Sequence, residues 1–260
     1  FFGLFGPYVA PHSPYRQDLS SRLLPPCWME GGQWTHPFGT DDFGRDLASR
    51  LIYGARISLW IGCISVGLSL LAGLLLGSLA GYFGGFLDGL IMFLINILLS
   101  LPSILLAIVI VAILGPSLQN AIIAIGIVNI PTYTRLVRAQ VLQEKEKEYV
   151  IASRISGSSH GRQIFWVILP NAINPVIVQA TMGFGSAILE AAGLSFLSLG
   201  AQPPTPEWGA MLNDTLQFLF QAPWIVILPG TAIFLSVMSF NLLGDGLMEV
   251  LDPKGKKGLT

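Results

Sequence analysis

Charge is scarce in this sequence and unevenly placed. Aspartate, glutamate, lysine and arginine make up 11% of its 260 residues against 52% hydrophobic ones, and the stretches 57–87, 89–134, 163–189 and 215–244 carry no charged side chain. Each exceeds the roughly 20 apolar residues that cross a hydrocarbon core. A soluble all-helical protein hides helices of about 8–20 residues that carry a polar stripe, so these runs argue against that class and for the bilayer as solvent. Cysteine is nearly absent too. Cys27 and Cys63 form neither a metal-ligand spacing nor a disulfide framework, and Cys63, inside the first run, reads as a small packing residue. The three histidines, His12, His36 and His160, are dispersed, and each reads as structural or solvated. A net charge of −1 gives no reason to expect nucleic acid. The sequence has no GxxxxGK[ST] phosphate cradle, no HExxH zinc pattern and no convincing serine, histidine and acid set. Neither ATP hydrolysis nor proteolysis therefore has a seat here, and no catalytic or metal-binding residue is expected.

What is present reads as membrane spans joined by two informative loops. The apolar residues 1–10 are taken as the end of a truncated first span, followed by a polar loop at 11–53 with turn signals at Pro25-Pro26 and Gly31-Gly32. Complete spans are expected near 57–80, 90–114, 119–137, 165–191 and 223–243. The glycine-rich turn 81–85 with Asp88 ends the first, and Gly115-Pro116 divides the long run after it, because proline removes a backbone donor. Together these form a permease domain at 54–250 with a charged loop at 141–164, and a tail at 251–260 carries Lys254, Lys256 and Lys257. Arg135, Arg138, Lys145, Lys147, Arg154 and Arg162 share a side with the tail lysines, and the positive-inside bias makes that side cytoplasmic. The loop at 11–53, whose arginines are balanced by Asp18, Glu30, Asp41, Asp42 and Asp46, is then periplasmic.

The segment 144–172 reads EKEKEYVIASRISGSSHGRQIFWVILPNA. Tyr149, Ala152 and Ile155 recur at three-residue spacing, so a short helix with one apolar edge is expected, ended by Gly157. On periodicity alone the same segment is equally a solvated loop stitched to a membrane helix. Its pattern resembles the cytoplasmic signature of the permeases of bacterial ATP-binding-cassette importers: Glu-Ala-Ala, three residues, Gly, nine residues, Ile, any residue, Leu-Pro. Here Ile151-Ala152-Ser153 is followed after three residues by Gly157, and after nine more by Val167, Ile168, Leu169 and Pro170. The spacing is complete, while Ile151, Ser153 and Val167 replace the family's residues. Glu148 is the nearby acid available to substitute for the missing carboxylate. The stretches HPFGTDDFGRDLASRLIYGARISL (36–59), LPSILLAIVIVAILGPS (101–117), GAQPPTPEWGAML (200–212) and NLLGDGL followed by LDP (241–253) are similar to the second permease of dipeptide and oligopeptide importers. The likeness covers essentially the whole chain.

That resemblance implies an all-α polytopic membrane protein of the bacterial inner (cytoplasmic) membrane, with the type I ABC importer permease fold: five complete spans plus a truncated first span. It implies a subunit that moves dipeptides or short oligopeptides, surrounded by membrane lipid and paired with a homologous permease, two ATPase subunits and a periplasmic substrate-binding protein. ATP and Mg would belong to the ATPase subunits, with no cofactor in this chain. Glu148, Ile151, Ala152, Ser153, Gly157, Leu169 and Pro170 would form the ATPase-coupling loop, the small residues letting another backbone approach. Pro170 would fix a bend where the chain enters the membrane, with Asn171 and Asn174 satisfying freed backbone groups. Polar groups at membrane depth supply the pathway or gate candidates: Asn96, Asn129, Asn171, Asn174, Gln179 and Glu190. For the amides, hydrogen bonding between helices is the plainer role, and Glu190 is equally a partner for an outer-loop arginine. The outer segments 39–50 and 202–208 are candidates to meet the binding protein, with turn scaffolding as the alternative. The same machinery carrying nickel, glutathione, heme or cationic peptides is the alternative cargo. A secondary transporter or a channel subunit is the alternative class, although the chain has no clear internal repeat.

Overall fold

A computed structural model describes residues 2–251, and among them the regular structure is helical, with a lone bridge between Thr40 and Asp46 and no strand. The lysine-bearing tail beyond Leu251 lies outside the described residues. A short helix α1 (Phe2–Val9) comes first, and the longest element, α2 (Leu47–Phe83), follows after a long loop. Next come α3 (Gly85–Leu99), α4 (Ser103–Leu114) and α5 (Leu118–Glu144), then the short α6 (Glu148–Ile155). The chain ends with α7 (Asn174–Phe196), the short α8 (Trp208–Thr215) and α9 (Trp224–Leu251). Helices α2, α5, α7 and α9 are each long and apolar enough to cross a membrane; a fifth crossing requires α3 and α4 to count as one span.

Three expected spans are corrected. The run at 90–114 is two helices bent by 90°. Ser100 folds back on the Ile97 carbonyl through both its N–H and its hydroxyl, and Pro102 then bars helix from the residue before it. The span expected at 165–191 begins only at Asn174, because Pro175 suits the first turn of a helix and not its interior. Residues 163–172 form a separate approach, a π-helical run Gln163–Ile168 followed by Leu169–Ala172. The span expected from residue 57 begins ten residues earlier, where Asp46 caps α2 by accepting from the Ser49 N–H at 2.8 Å. Cys63, expected as a packing residue, is exposed.

Residue contacts divide the chain into two units. The first holds residues 1–64, 107–125 and 185–239. Its core joins Leu47 and Ala55 of α2 to Trp208 and Met211 of α8 and Ile225 of α9. Trp208 donates to the Leu51 carbonyl at 3.1 Å, and Glu207 caps α8 by accepting from the N–H groups of Gly209 and Ala210 at 3.0 and 2.9 Å. The second unit holds, among the described residues, 65–106, 126–184 and 240–251. There Gly73, Gly77 and Gly81 form a four-residue-spaced stripe on α2, and α5 lies directly against it. A Cβ built at Gly77 would sit 2.6 Å from the Thr134 carbonyl oxygen, and one at Gly81 would sit 2.9 Å from that of Arg138. Small residues let two backbones approach where lipid offers no hydrophobic drive. An ion pair extends the same seam: Arg138 donates to both oxygens of Asp88 at 2.5 and 2.6 Å.

Candidate coupling helix and polar cleft

The short helix expected near residue 149 exists as α6, and Gly157 ends it as the spacing predicts. Glu148 stands in its first turn and Arg154 in its last, the signs that suit the helix dipole. At the C-terminus the Ser158 N–H bonds the Ser153 carbonyl at 3.2 Å and the Gly157 N–H bonds that of Arg154 at 3.0 Å. This pair of bonds is the Schellman arrangement, which needs a left-handed residue after the cap. Gly157 supplies it with φ +81°, and nothing lies within 4 Å of a Cβ built there. Within this chain, then, backbone conformation and not close approach accounts for the glycine. Ser153 adds a hydroxyl bond to Ser158 at 2.9 Å.

Only Val150 anchors α6 in a buried position; Ile151 is 43% exposed and Ile155 82%. Ala152 and Glu148 are exposed as well, so the predicted apolar edge of Tyr149, Ala152 and Ile155 faces outward. The acid engaged beside the helix is Glu144 rather than Glu148. Glu144 is buried, accepts from the Tyr149 hydroxyl and pairs with Lys147 at 2.6 Å. Burial and the adjacent carboxylate push the Tyr149 phenol up to about 12. Downstream, Leu169 is half-buried and Pro170 exposed. Asn171 donates to the Val167 carbonyl at 2.8 Å, one of the two amides expected to serve the backbone near Pro170. On the other side of the approach, Tyr82 reaches His160 at 2.8 Å and the Gln163 side chain at 3.0 Å, tying α2 to the segment after α6.

Beside α6, within the same unit, lies a cleft of about 600 Å³ whose polar lining includes Asn171, Asn174, Gln179, Gln140 and Gln143, with Met182 as an apolar wall. Three of the six pathway candidates therefore meet in one place. Gln140 and Gln143 escaped sequence reading, although their three-residue spacing on one helix, followed by Lys147, was visible. Asn96 is exposed and accepts from Arg135 at 2.8 Å, and Asn129 and Glu190, half-buried on α5 and α7, do not line the cleft. The cleft holds amides, a lysine and an acid but no nucleophile activated by a base.

The segments 39–50 and 202–208 are tied together within their own unit. Arg45 pairs with Asp41 at 2.6 Å, Arg50 with the same carboxylate at 3.3 Å, and all three side chains are buried. Arg50 also reaches the Pro204 carbonyl at 3.4 Å, which links the 39–50 and 202–208 segments. Burial raises the carboxyls of Glu207, Asp42 and Asp214 above their ordinary values.

Long apolar helices, a broken helical pair and a polar cleft next to an exposed amphipathic helix define a multi-span membrane transport subunit. The sequence pattern of the binding-protein-dependent transport system inner membrane component matches residues 73–257, and the chain belongs to that family. It is 55% identical to the di/tripeptide transport system permease protein DppC of Pseudomonas aeruginosa, over 98% of this chain and 84% of that one. It is 54% identical to the dipeptide transport system permease protein DppC of Escherichia coli K12, over 99% and 86% respectively. Its fold is similar to that of the MetNI methionine ABC transporter in inward facing conformations, with TM-score 0.64 at 20% identity over 78% of this chain and 96% of the other. A second crystal form of that transporter gives TM-score 0.61 at 19% identity over the same shares.

Proposed function

We propose that this chain is the membrane subunit through which an ATP-binding-cassette importer passes dipeptides, and that α6 is the part that receives the stroke of a separate ATPase. The identity of 54–55% to permeases named for dipeptides and tripeptides, sustained over 84–86% of their length, carries this reading. The polar cleft beside α6 supports it, since its amides suit the neutral peptide bond of a short peptide. In this reading the chain has five spans, with α3 and α4 forming one broken span. The segment between α1 and α2 is periplasmic and α6 cytoplasmic.

Pairing with a homologous permease closes the pathway, two ATPase subunits bind ATP and Mg, and a periplasmic binding protein delivers the solute. This chain orients, binds and releases; it does no bond chemistry. Closure of the ATPase pair pushes on the exposed Ile151, Ala152 and Ile155 face, and the push passes through Val150 and the π-helical approach to α7. Glu148 lies on the same exposed turn to meet a cationic group of the ATPase, while Leu169 and Pro170 hold the approach to its bend. Cysteine cross-linking tests this arrangement. In the assembled complex, Ile155→Cys is expected to form a disulfide with a cysteine in the ATPase groove, in proportion to ATP occupancy. Assembly without any such cross-link, from a scan of the groove, would overturn the placement of α6.

A further inference from the structure

His12 and His36 are far apart in sequence, yet their rings lie with centroids 4.9 Å apart, a proximity that dispersed histidines did not suggest. Each ring has one nitrogen already spoken for. His12 Nε2 lies 2.8 Å from the Thr35 carbonyl oxygen, which only accepts, so the proton is on Nε2 and Nδ1 carries the lone pair. His36 Nδ1 lies 3.0 Å from Asp46 Oδ1, so its proton faces the carboxylate and Nε2 carries the lone pair. Asp46 is itself fixed: its side chain is 1% exposed, and Oδ2 accepts from the Ser49 N–H at 2.8 Å and hydroxyl at 2.6 Å. A donor atom from each of His12, His36 and Asp46 lies within 4.8 Å of the others. The three border a cleft of about 320 Å³ that also presents Asp18 and Arg16.

Metal-binding histidines typically donate their second ring N–H to a carboxylate or a backbone carbonyl, which sets the tautomer and the ring orientation. Both acceptors are in place here. The metal-facing atoms are then His12 Nδ1 and His36 Nε2, on half-buried rings whose centroids lie 4.9 Å apart. We propose that this cluster binds one divalent transition-metal ion of the borderline class, such as Zn²⁺. His12 and His36 are the nitrogen ligands, Asp46 is the charged partner that fixes the His36 ring, and water completes the coordination. The ion clamps the outer loop to the start of α2, where the His12 backbone is already tied: its N–H donates to Ser49 Oγ at 2.9 Å. This site is separate from the polar cleft and does not concern the transported solute.

The test is calorimetric titration of ZnCl₂ into the full chain, stripped with EDTA and purified in detergent, with a thermal melt at each end of the titration. One ion per chain is expected, with a rise in melting temperature. His12→Ala should weaken binding at least tenfold and abolish that rise, while His160→Ala should change neither. His36→Ala removes the partner of a buried carboxylate and risks misfolding, so the decisive variant is His12→Ala, whose ring is half-buried on the loop. Equal affinity in His12→Ala and wild type, or no saturable binding to wild type, would overturn the proposal.

Discussion

The Gly157 backbone offers a perturbation whose size follows from geometry alone. Its φ of +81° is the left-handed region, and the space around its Cβ position is open. An alanine there meets no atom but must adopt a conformation that costs an L-residue about 1–2 kcal/mol. Asparagine tolerates the same region far better, so Gly157→Asn should recover most of the loss. Because α6 has only Val150 as a buried anchor, the cost falls on its last turn and not on global unfolding. Hydrogen exchange on the assembled complex should therefore show amides 155–158 exchanging about 5–30-fold faster in Gly157→Ala than in wild type, with Gly157→Asn in between. If the alanine and asparagine variants exchange alike, or if neither differs from wild type, conformation is not what the glycine supplies. A loss confined to bulky residues such as Gly157→Trp would point instead to close approach by a partner.

Other outcomes follow from packing and charge. Gly77→Leu pushes a side chain into the α5 backbone and should destabilise the protein by about 1–3 kcal/mol, read as a lower melting temperature in detergent. Asp88→Arg should reduce assembly by leaving Arg138 opposite a like charge, and the double variant Asp88→Arg with Arg138→Asp should restore it; failure of the swap to rescue would show that the pair contributes no orientation. Tyr149→Phe removes a hydroxyl bond to the Glu144 carboxylate and should loosen α6 by about 1 kcal/mol, measured by the same exchange assay. Glu207 titrates above its ordinary value of 4.5 because it is buried, so its contribution is fully present below that value and is lost as pH rises through the raised one. Glu207→Gln avoids the buried charge, and its melting temperature relative to wild type should improve as pH rises from about 5 to 8. A gap that shrinks over that range would contradict the sign.

Periodicity left α6 open between a short helix and a solvated loop, and the Gly157 stop, which depends only on local rules, marked its end. The 90° bend at 100–102 was readable in principle from Pro102. The stronger Gly115-Pro116 signal drew the division to itself, and an all-apolar run offers no polar face to mark where a helix turns. The early start of α2 was hidden because its first residues carry Arg50, which pairs with Asp41 and so behaves as a buried residue. The glycine stripe at 73, 77 and 81 was visible, but its partner α5 lies about 60 residues away, and nothing local names it. The same holds for His12 with His36, which only the folding of the loop before α2 brings together. Gln140, Gln143 and Gln179 meet in the cleft through tertiary packing for the same reason.

The central claim is that this chain moves short peptides under the drive of a partner ATPase. Uptake of a labelled dipeptide into proteoliposomes holding the complete complex and its binding protein tests it most directly. ATP-dependent accumulation in wild type, lost in Gly157→Trp while the complex still assembles, is the predicted result. Binding-protein-stimulated ATP hydrolysis with no dipeptide accumulation would contradict the claim about cargo, and an assembly that neither hydrolyses ATP nor accumulates dipeptide would contradict the claim as a whole.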